Sequence, residues 1–310
     1  MSLHIHGTIV THYGVAANNR GETEGNLTTL QKILWRGETH SSVSAEAIRF
    51  AIRTYFQEQN ELTGNRDYLT NRHWVVTPEG GDHAWRNAAF SEEEYLDDDL
   101  FGYMDAKAPA AELHADSDDV SDSGPSKKGK AKGTTRARRG ALEISRAISL
   151  EPYIGETTFN AKGGQKGSTS LYATEVHATA YQYSFSLTPA HLVVPSRGVL
   201  ALNAIEALSA VGGNQSRYLF DFSPASVILR LTDDPAPRTM FAFESNGGTD
   251  EVKLDQLLLS IKSGDIHGSE VIVGGKAARI DQADSLRECG VTVCEGVKQA
   301  FQQARERLLS

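Results

Sequence analysis

Three short polar segments carry residue types suited to binding a polyanion. Residues 18–20 place amide and guanidinium donors on a loop beside Gly21. Residues 41–44 supply three serines at the start of a predicted helix, where free backbone N–H groups and the helix dipole attract phosphate. Residues 212–217 combine two glycines, whose N–H groups can approach a nucleic-acid backbone, with Asn, Gln and Arg side chains. Together the segments predict a surface for phosphates and sugars.

Each of these features also has a purely structural interpretation. Arg49 and Arg53 extend the serine segment by one and two helical turns, but a solvated helix face would carry the same residues. Gly212 and Gly213 would also serve as the C-terminal cap of a helix. The case for a polyanion therefore depends on the three segments occurring in one chain.

A histidine-rich strand offers the first alternative, a metal site. His4 and His6 share one face of a predicted strand, with His12 farther along, and imidazole is a common ligand of transition metals. No further ligand pattern completes the site, so a polar strand face is favoured and no metal is predicted.

Acidic residues offer a second alternative, a metal-dependent nuclease. Glu22, Glu24, Asp67 and Asp82 could hold a metal for phosphodiester hydrolysis, but nothing in the sequence fixes their mutual distances. Phosphate-loop, dinucleotide-binding and nucleophile-elbow motifs are absent from the sequence. The two cysteines form neither a disulfide framework nor a zinc pattern. We therefore predict a protein that is not an enzyme and has no cofactor.

The charge is distributed unevenly along the chain. The 310 residues carry a formal net charge of −9, but residues 91–122 alone carry −11. A basic run follows directly, consisting of Lys127, Lys128, Lys130, Lys132, Arg136, Arg138 and Arg139. Local fields decide where a charged partner docks, so the acidic total does not exclude a nucleic acid. No membrane span or secretory signal is predicted, which indicates a cytoplasmic protein.

Hydrophobic periodicity predicts a mixture of strands and helices without a regular βαβ alternation. We expect strands over residues 3–13 (half-buried), 142–150, 172–187 and 227–231, and helices over 42–59, with Ser41 or Ser42 as N-cap, 198–211 and 297–309. Residues 106–133 are rich in Ala, Asp, Ser, Lys and Gly and predict a disordered insertion, acidic first and then basic. The pattern predicts an α+β fold with long insertions.

Beyond these patterns, the chain resembles a known family in a series of ordered motifs. They are His6-Gly7-Thr8, Asn18-Asn19-Arg20-Gly21, Thr39-His40-Ser41-Ser42-Val43-Ser44, Asp99-Leu100-Phe101-Gly102-Tyr103-Met104, the segments 138–147 and 172–177, and Gly212-Gly213-Asn214-Gln215-Ser216-Arg217. In this order they resemble the CRISPR-associated backbone subunits of type I surveillance (Cascade) complexes, in particular the DevR-type autoregulator branch of type I-B systems.

The resemblance implies a single hand-shaped domain over residues 1–310. Its centre would be a modified RNA-recognition-motif (RRM) or ferredoxin-like palm, with finger and thumb insertions over 150–225. Several copies would polymerise along one guide RNA (crRNA), holding its backbone so that the bases stay free to pair with a target DNA strand. Implied partners are crRNA, target DNA, further copies of the chain, and the large and cap subunits. Whether a nuclease or transposition proteins join the complex is left open.

The resemblance also assigns candidate contacts. Those for RNA are Asn18, Asn19, Arg20, His40, Ser41, Ser42, Ser44, Arg49, Arg53, Lys162, Lys166, Gly212, Gly213, Asn214, Gln215 and Arg217. The basic run from Lys127 to Arg139 would lie along target DNA as a finger, with a solvated linker as the alternative. Related branches are more basic where Glu46 stands, and type III relatives cleave RNA with an aspartate that has no obvious counterpart here. A metal-dependent RNA endonuclease and a transcriptional autoregulator remain the alternative functions, although no helix-turn-helix is recognisable.

Overall fold

A computed structural model of the protein describes residues 2–17, 19–106, 135–161, 171–212, 219–247 and 251–309. Its helices are α1 (Ala45–Thr63), α2 (Leu96–Phe101), α3 (Arg197–Glu206), α4 (Asp255–Lys262), α5 (Ala283–Glu288) and α6 (Val297–Leu309). Its strands are β1 (His4–Thr11), β2 (Gly14–Ala16), β3 (Asn19–Glu24), β4 (Leu27–Leu30), β5 (Lys32–Trp35), β6 (Glu38–Val43), β7 (Arg72–Thr77), β8 (Gly80–Trp85), β9 (Gly102–Ala106), β10 (Thr135–Arg139), β11 (Leu142–Ile144), β12 (Ala147–Ser149), β13 (Thr157–Ala161), β14 (Leu171–Glu175), β15 (His177–Thr179), β16 (Tyr181–Leu187), β17 (Pro224–Thr232), β18 (Glu244–Ser245), β19 (Val252–Lys253), β20 (Val271–Gly275) and β21 (Thr292–Cys294).

The largest sheet forms the centre of the molecule. Across the described residues its order is β21-β20-β17-β1-β16-β12-β6-β5, and β11 also pairs with β16. Neighbouring strands are antiparallel except β20 and β21. Gly7 of β1 lies opposite Phe185 on one side and Leu229 on the other, which makes β1 a central strand. The protein thus has a mixed α+β architecture built on a large sheet.

One face of this sheet packs against helices. Ile5 and Ile9 of β1 join a core with Ile48, Ile52 and Phe56 of α1. Helices α3 and α6 complete the same core through further buried side chains. Because side chains alternate along a strand, the side chains of His6 and Thr8 point to the opposite face.

The opposite face is also covered, so the prediction of a half-buried first strand was wrong. Residues 233–243 cross it and are tied to β1 by side chains: the Thr8 hydroxyl donates to the Thr239 carbonyl over 2.6 Å. His6 places Nε2 3.2 Å from the Asp234 carbonyl oxygen and Nδ1 3.0 Å from the Ser186 hydroxyl. Both ring nitrogens of His6 are therefore occupied by internal hydrogen bonds.

Helix α1 begins later than the sequence indicates. Ser44 is its N-cap, since the Ser44 hydroxyl accepts the Ala47 N–H over 3.2 Å. Ser41 and Ser42, the predicted caps, instead belong to β6. The helix ends at Gly64, whose left-handed conformation directs its N–H to the Asn60 carbonyl.

The other predicted elements are mostly confirmed in type. Helix α6 has the predicted bounds, whereas α3 ends before Ala207 rather than at Gly212. The predicted strands 142–150 and 172–187 occur as β11–β12 and β14–β16. The predicted disordered insertion, 106–133, lies outside the described residues except for Ala106. No helix among the described ranges is both long and apolar enough to cross a membrane.

Smaller sheets extend from the large one. Strands β13, β14, β4 and β3 pair in that order, with β14 and β4 parallel. Strands β7 and β8 form a hairpin, and β9 and β10 form an antiparallel ribbon. These ribbons and hairpins position the groups considered next.

Candidate nucleic-acid interface

A groove lies between α1 and the start of the predicted polyanion-binding segment 212–217. We call it the α1 groove; Phe50, Thr54 and Glu58 of α1 form one wall, and residues 207–210 with Gly212 form the other. Its volume is about 400 Å³. The helix C-terminal to the serine segment and the start of the 212–217 segment therefore share one surface.

Arg49 is an available cation of α1. Its guanidinium pairs with Glu46 over 2.9 Å, three residues earlier on the exposed helix surface. A hydrogen bond from the backbone N–H of Glu46, together with the charge of Arg49, lowers the pKa of the Glu46 carboxyl. An exposed pair of this kind contributes little, roughly 0.2–1 kcal/mol. Arg49 can therefore exchange Glu46 for a phosphate at small cost.

Arg146 is a candidate cation that the residue-type analysis missed. It is half-buried, and its Nη1 donates to the Ser42 hydroxyl over 3.2 Å. Its charge also acts on Glu46 in the first turn of α1. No carboxylate pairs with Arg146 among the described residues. Its position in the ordered motif 138–147 was the available signal.

Arg53, by contrast, serves the interior. Its Nε donates to Asp97 over 3.1 Å, and its guanidinium lies 4.6 Å from the centre of the Phe101 ring. The side chain is only 16% exposed. The expectation that Arg53 contacts RNA does not fit this geometry, because its charge is already used in fixing α2 against α1.

The side chains of His40, Ser41 and Ser42 are also turned inward. His40 Nδ1 lies 2.8 Å from the Ser149 carbonyl oxygen. The Ser41 hydroxyl lies 2.7 Å from His177 Nδ1 and 2.8 Å from the Tyr181 hydroxyl. Burial lowers the pKa of His177 to about 4, so this histidine is neutral at physiological pH. These residues position β6 and are closed to a phosphate.

Several predicted contacts lie outside the described residues. These are Asn18, Lys162, Lys166, Gly213, Asn214, Gln215 and Arg217, together with Lys127, Lys128, Lys130 and Lys132 of the basic run. The backbone of Asn19 and Arg20 belongs to β3, at the edge of the sheet with β4.

The three arginines of the β9–β10 ribbon pair with acidic side chains of the same chain. Arg138 donates to Asp99 over 2.6 Å and to the His191 carbonyl, which leaves it mostly buried. Arg136 pairs with Glu92 over 3.1 Å, and Arg139 pairs with Glu143 over 2.7 Å. Arg136 and Arg139 remain exposed and could exchange partners, whereas Arg138 could do so only by breaking its mostly buried pair with Asp99.

Three consecutive aspartates of α2, which belong to the acidic stretch 91–122, are buried and form what we call the aspartate hub. Asp97 accepts the Asn71 N–H over 2.6 Å in addition to Arg53. Asp99 accepts Arg138, Arg197 over 2.8 Å, and two backbone N–H groups just before α3. The hub thereby ties the α1 helix, the β7–β8 hairpin, the β9–β10 ribbon and the entrance to α3 to one another.

Asp98, the middle aspartate of the hub, makes the stability of the protein depend on pH. Burial, with the neighbouring charge of Asp97, raises its pKa to about 6. A folded-state pKa above the unfolded value of about 4 means that the protonated form is favoured in the folded protein. This contribution to stability is complete below about pH 4 and is lost as the pH rises through 6.

We therefore expect Asp98→Asn to remove this dependence. Asn71 and Ser91 both donate to the same oxygen of Asp98, Oδ2, so the single amide oxygen of the variant side chain can accept both. Between pH 4.5 and 7.5 the free energy of unfolding of the native protein should fall by about 2 kcal/mol relative to that of the variant. Urea titrations at both pH values measure this difference. If the free energies of unfolding of the two proteins differed by the same amount at both pH values, the prediction would be contradicted.

Within the portion of the chain that the structure describes, no group of three or more His, Cys, Asp or Glu residues is placed to hold a metal ion.

The chain matches a known protein family over most of its length. The family described as CRISPR-associated negative auto-regulator DevR/Csa2 matches residues 7–253. The chain belongs to this family. A relative from Myxococcus xanthus (strain DK1622), named CRISPR-associated protein Cas7/Cst2/DevR, is 43% identical over 324 residues, covering 99% of this chain and 98% of the relative. The family resemblance expected from the ordered motifs is confirmed.

Solved structures share the fold of the DevR/Cas7 chain. One, from a structure titled CRISPR RNA-guided surveillance complex, covers 97% of this chain and 98% of its own with a TM-score of 0.57 and 13% identity. A second, titled CRISPR RNA-guided surveillance complex, pre-nicking, covers 98% and 100% with the same TM-score and 9% identity. At such identities the likeness concerns the fold.

Proposed function

We propose that this DevR/Cas7 chain is a non-catalytic, crRNA-binding backbone subunit of a type I, I-B-like surveillance complex in the cytoplasm. Copies polymerise along the guide RNA and present its bases to target DNA, with large and cap subunits completing the assembly. The observation that carries the proposal is the pair of cations at the first turn of α1, where the charges of Arg49 and Arg146 both act on Glu46. The surveillance-complex titles of the structures with this fold support it.

The strand order supports a ferredoxin-like palm for this subunit. Along the chain, β1, α1, the β11–β12 pair, β16, α3 and β17 follow in a βαββαβ sequence. In the sheet these strands are ordered β17-β1-β16-β12, the last strand of the motif beside the first. We assign the small sheets and ribbons outside this core to the fingers and thumb of a single hand-shaped domain.

The first turn of α1 and Gly212 are suited to binding a nucleic-acid backbone rather than a particular base sequence. Arg49 and Arg146 supply charge near the N-terminus of α1, where the helix dipole favours phosphate. Gly212 has a φ of 89°, a conformation that glycine adopts without strain. Residues 18–20, Lys162, Lys166 and 213–217 complete the proposed contact set. His40, Ser41, Ser42 and Arg53 are left out of it because their side chains are internally bonded.

The β9–β10 ribbon is the proposed target-DNA finger. Arg136 is exposed near the end of the ribbon where Ala106 pairs with Thr135, and the basic residues 127–132 precede Thr135 in the sequence. Electrostatic attraction to a phosphate backbone does not require a fixed geometry. The residues from Lys127 to Lys132 are therefore assigned to DNA, and Arg138 to the aspartate hub.

Co-expression with a guide-RNA array tests the proposal. Purified through high salt, the native chain should form a large assembly that contains RNA of uniform length and that RNase dissociates. Arg49→Ala, measured on single-stranded RNA over a salt series, should flatten the slope of log K against log salt by about 0.7, since one phosphate contact is lost. Arg287→Ala is the matched control, because Arg287 pairs with Asp284 on α5, remote from the groove.

Two outcomes would contradict the proposal. The first is a nucleic-acid-free monomer even when neighbouring complex subunits are co-expressed. The second is RNA that shortens on addition of a divalent metal, which would indicate a nuclease. An equal salt slope for Arg49→Ala and native protein would reject the RNA contact at Arg49 while leaving the subunit role standing.

A further inference from the structure

A second groove lies at the tip of the β5–β6 hairpin. There the turn lies near residues 233–243, which cross the sheet, and near helix α4. Arg36, Arg238, Phe241, Gln256 and Ser260 line a groove of about 430 Å³. We call it the hairpin-tip groove. An adjoining groove of about 440 Å³ shares Arg36 and Phe241 with it and extends past Trp35. A volume of this size matches small-ligand sites in general.

Backbone strain is concentrated in this groove. Arg36, Arg238 and Phe241 have φ angles of 51°, 43° and 52°. Phe90 is the one other non-glycine residue with a positive φ in the described ranges. Bulky residues rarely adopt this conformation, and such strain persists where the surrounding structure holds it, often at ligand sites.

Arg36 in particular stands where local rules disfavour it. Trp35 pairs with Glu38, so Arg36 and Gly37 form a two-residue hairpin turn, and both have positive φ. A turn of this type strongly prefers Asn or Asp before the glycine. An arginine at this position weakens the hairpin. We therefore attribute its presence to a function of its guanidinium group.

The groove presents cations beside aromatic rings. Arg36 is exposed, stacks 5.8 Å from the Trp35 ring, and has no acidic partner among the residues described. Trp35 and Phe241 place their ring centres 5.1 Å apart. Arg238 pairs with Asp234 over 2.7 Å yet stays 46% exposed. Glu244 also lines the groove, and its carboxylate accepts the backbone N–H of Gln256 over 3.1 Å.

We propose that the hairpin-tip groove and the adjoining groove together bind a nucleotide, with its base against Trp35 and Phe241 and its phosphate at Arg36 and Arg238. Aromatic rings and arginine together recognise the two halves of a nucleotide without selecting a base. Phe243 and Leu257 pack with Ile228 on the face of the sheet opposite α1. The site is therefore separate from the α1 groove and does not depend on the role proposed for it.

Tryptophan fluorescence reads this site directly. The chain has three tryptophans, and the double substitution Trp74→Phe and Trp85→Phe leaves Trp35 as the sole tryptophan. In this background, stacking of a base should quench Trp35. Titration with uridine monophosphate and with a single-stranded oligouridylate distinguishes a free nucleotide from a nucleotide within a strand, and quenching by either supports the site.

Arg36→Asn is the decisive variant. Asparagine suits the turn, so the melting temperature should stay equal or rise. Loss of a charge-assisted phosphate contact should raise the Kd obtained from the quenching titration about tenfold. Arg238→Gln should act in the same direction, and Arg287→Ala should leave quenching unchanged. Absence of quenching by both probes, or quenching insensitive to Arg36→Asn and Arg238→Gln, would overturn the proposal. Arg49→Ala distinguishes this site from the RNA contact proposed at α1, because it should lower RNA affinity without altering Trp35 quenching.

Discussion

Asp99→Asn should lower the free energy of unfolding by about 3–5 kcal/mol, because it leaves the buried guanidinium of Arg197 without its counter-charge. Asp99 accepts hydrogen bonds on both carboxylate oxygens, from Arg138 and Val193 on one and from Arg197 and Val194 on the other. An amide has a single acceptor oxygen, so one side of this arrangement loses its partner. Urea unfolding followed by circular dichroism measures the loss.

Glu143→Gln is the matched control for this charge change. Glu143 pairs with Arg139 on the surface, where both side chains are more than half exposed. Its loss should cost at most about 1 kcal/mol. Similar small shifts for Asp99→Asn and Glu143→Gln would mean that the aspartate hub does not hold the ribbon, the hairpin and α3 together.

Gly7→Ala should destabilise the protein by about 1–3 kcal/mol through overpacking of the central strand. A Cβ at Gly7 would fall within the van der Waals radius of the Phe185 ring, which covers Gly7 from the neighbouring strand. Thermal unfolding is the measurement. This contact gives a physical reason for the glycine in the His6-Gly7-Thr8 motif.

A double-mutant cycle locates the effect at Phe185. In a Phe185→Leu background the added methyl group meets a smaller side chain, so Gly7→Ala should cost less than it does beside phenylalanine. Gly296→Ala is the control glycine, since a Cβ there meets nothing within 4 Å. Equal costs of Gly7→Ala in both backgrounds would contradict a clash with Phe185.

Elements with a strong local pattern were predictable from the sequence. The apolar stripe of α1 and the amphipathic α6 were recognised because helix periodicity is a property of neighbouring residues. The two-sided burial of β1 was not, since it depends on residues 233–243, which are far away along the chain. His6 and Thr8 look like a solvated face until their partners in that segment are known.

The candidate site was predictable in outline only. The motif order identified the family, and the α1 groove places Gly212 beside α1. Composition could not distinguish a buried charge from a solvated one. Asp97 and Asp99 belong to a highly acidic stretch, yet they are neutralised by arginines 39 to 98 positions distant. Arg53 and Arg138 were assigned to nucleic acid for the same reason.

The β9–β10 ribbon has an evolutionary consequence. Ala106 and Thr135 are paired, so the chain leaves the ribbon after Ala106 and returns to it at adjacent positions. When the ends of a loop are already held together, doubling its length costs only about 0.6 kcal/mol. Homologues can thus lengthen, shorten or recharge this excursion while the strand register of the large sheet stays constant. The same position is a natural graft point for a reporter domain.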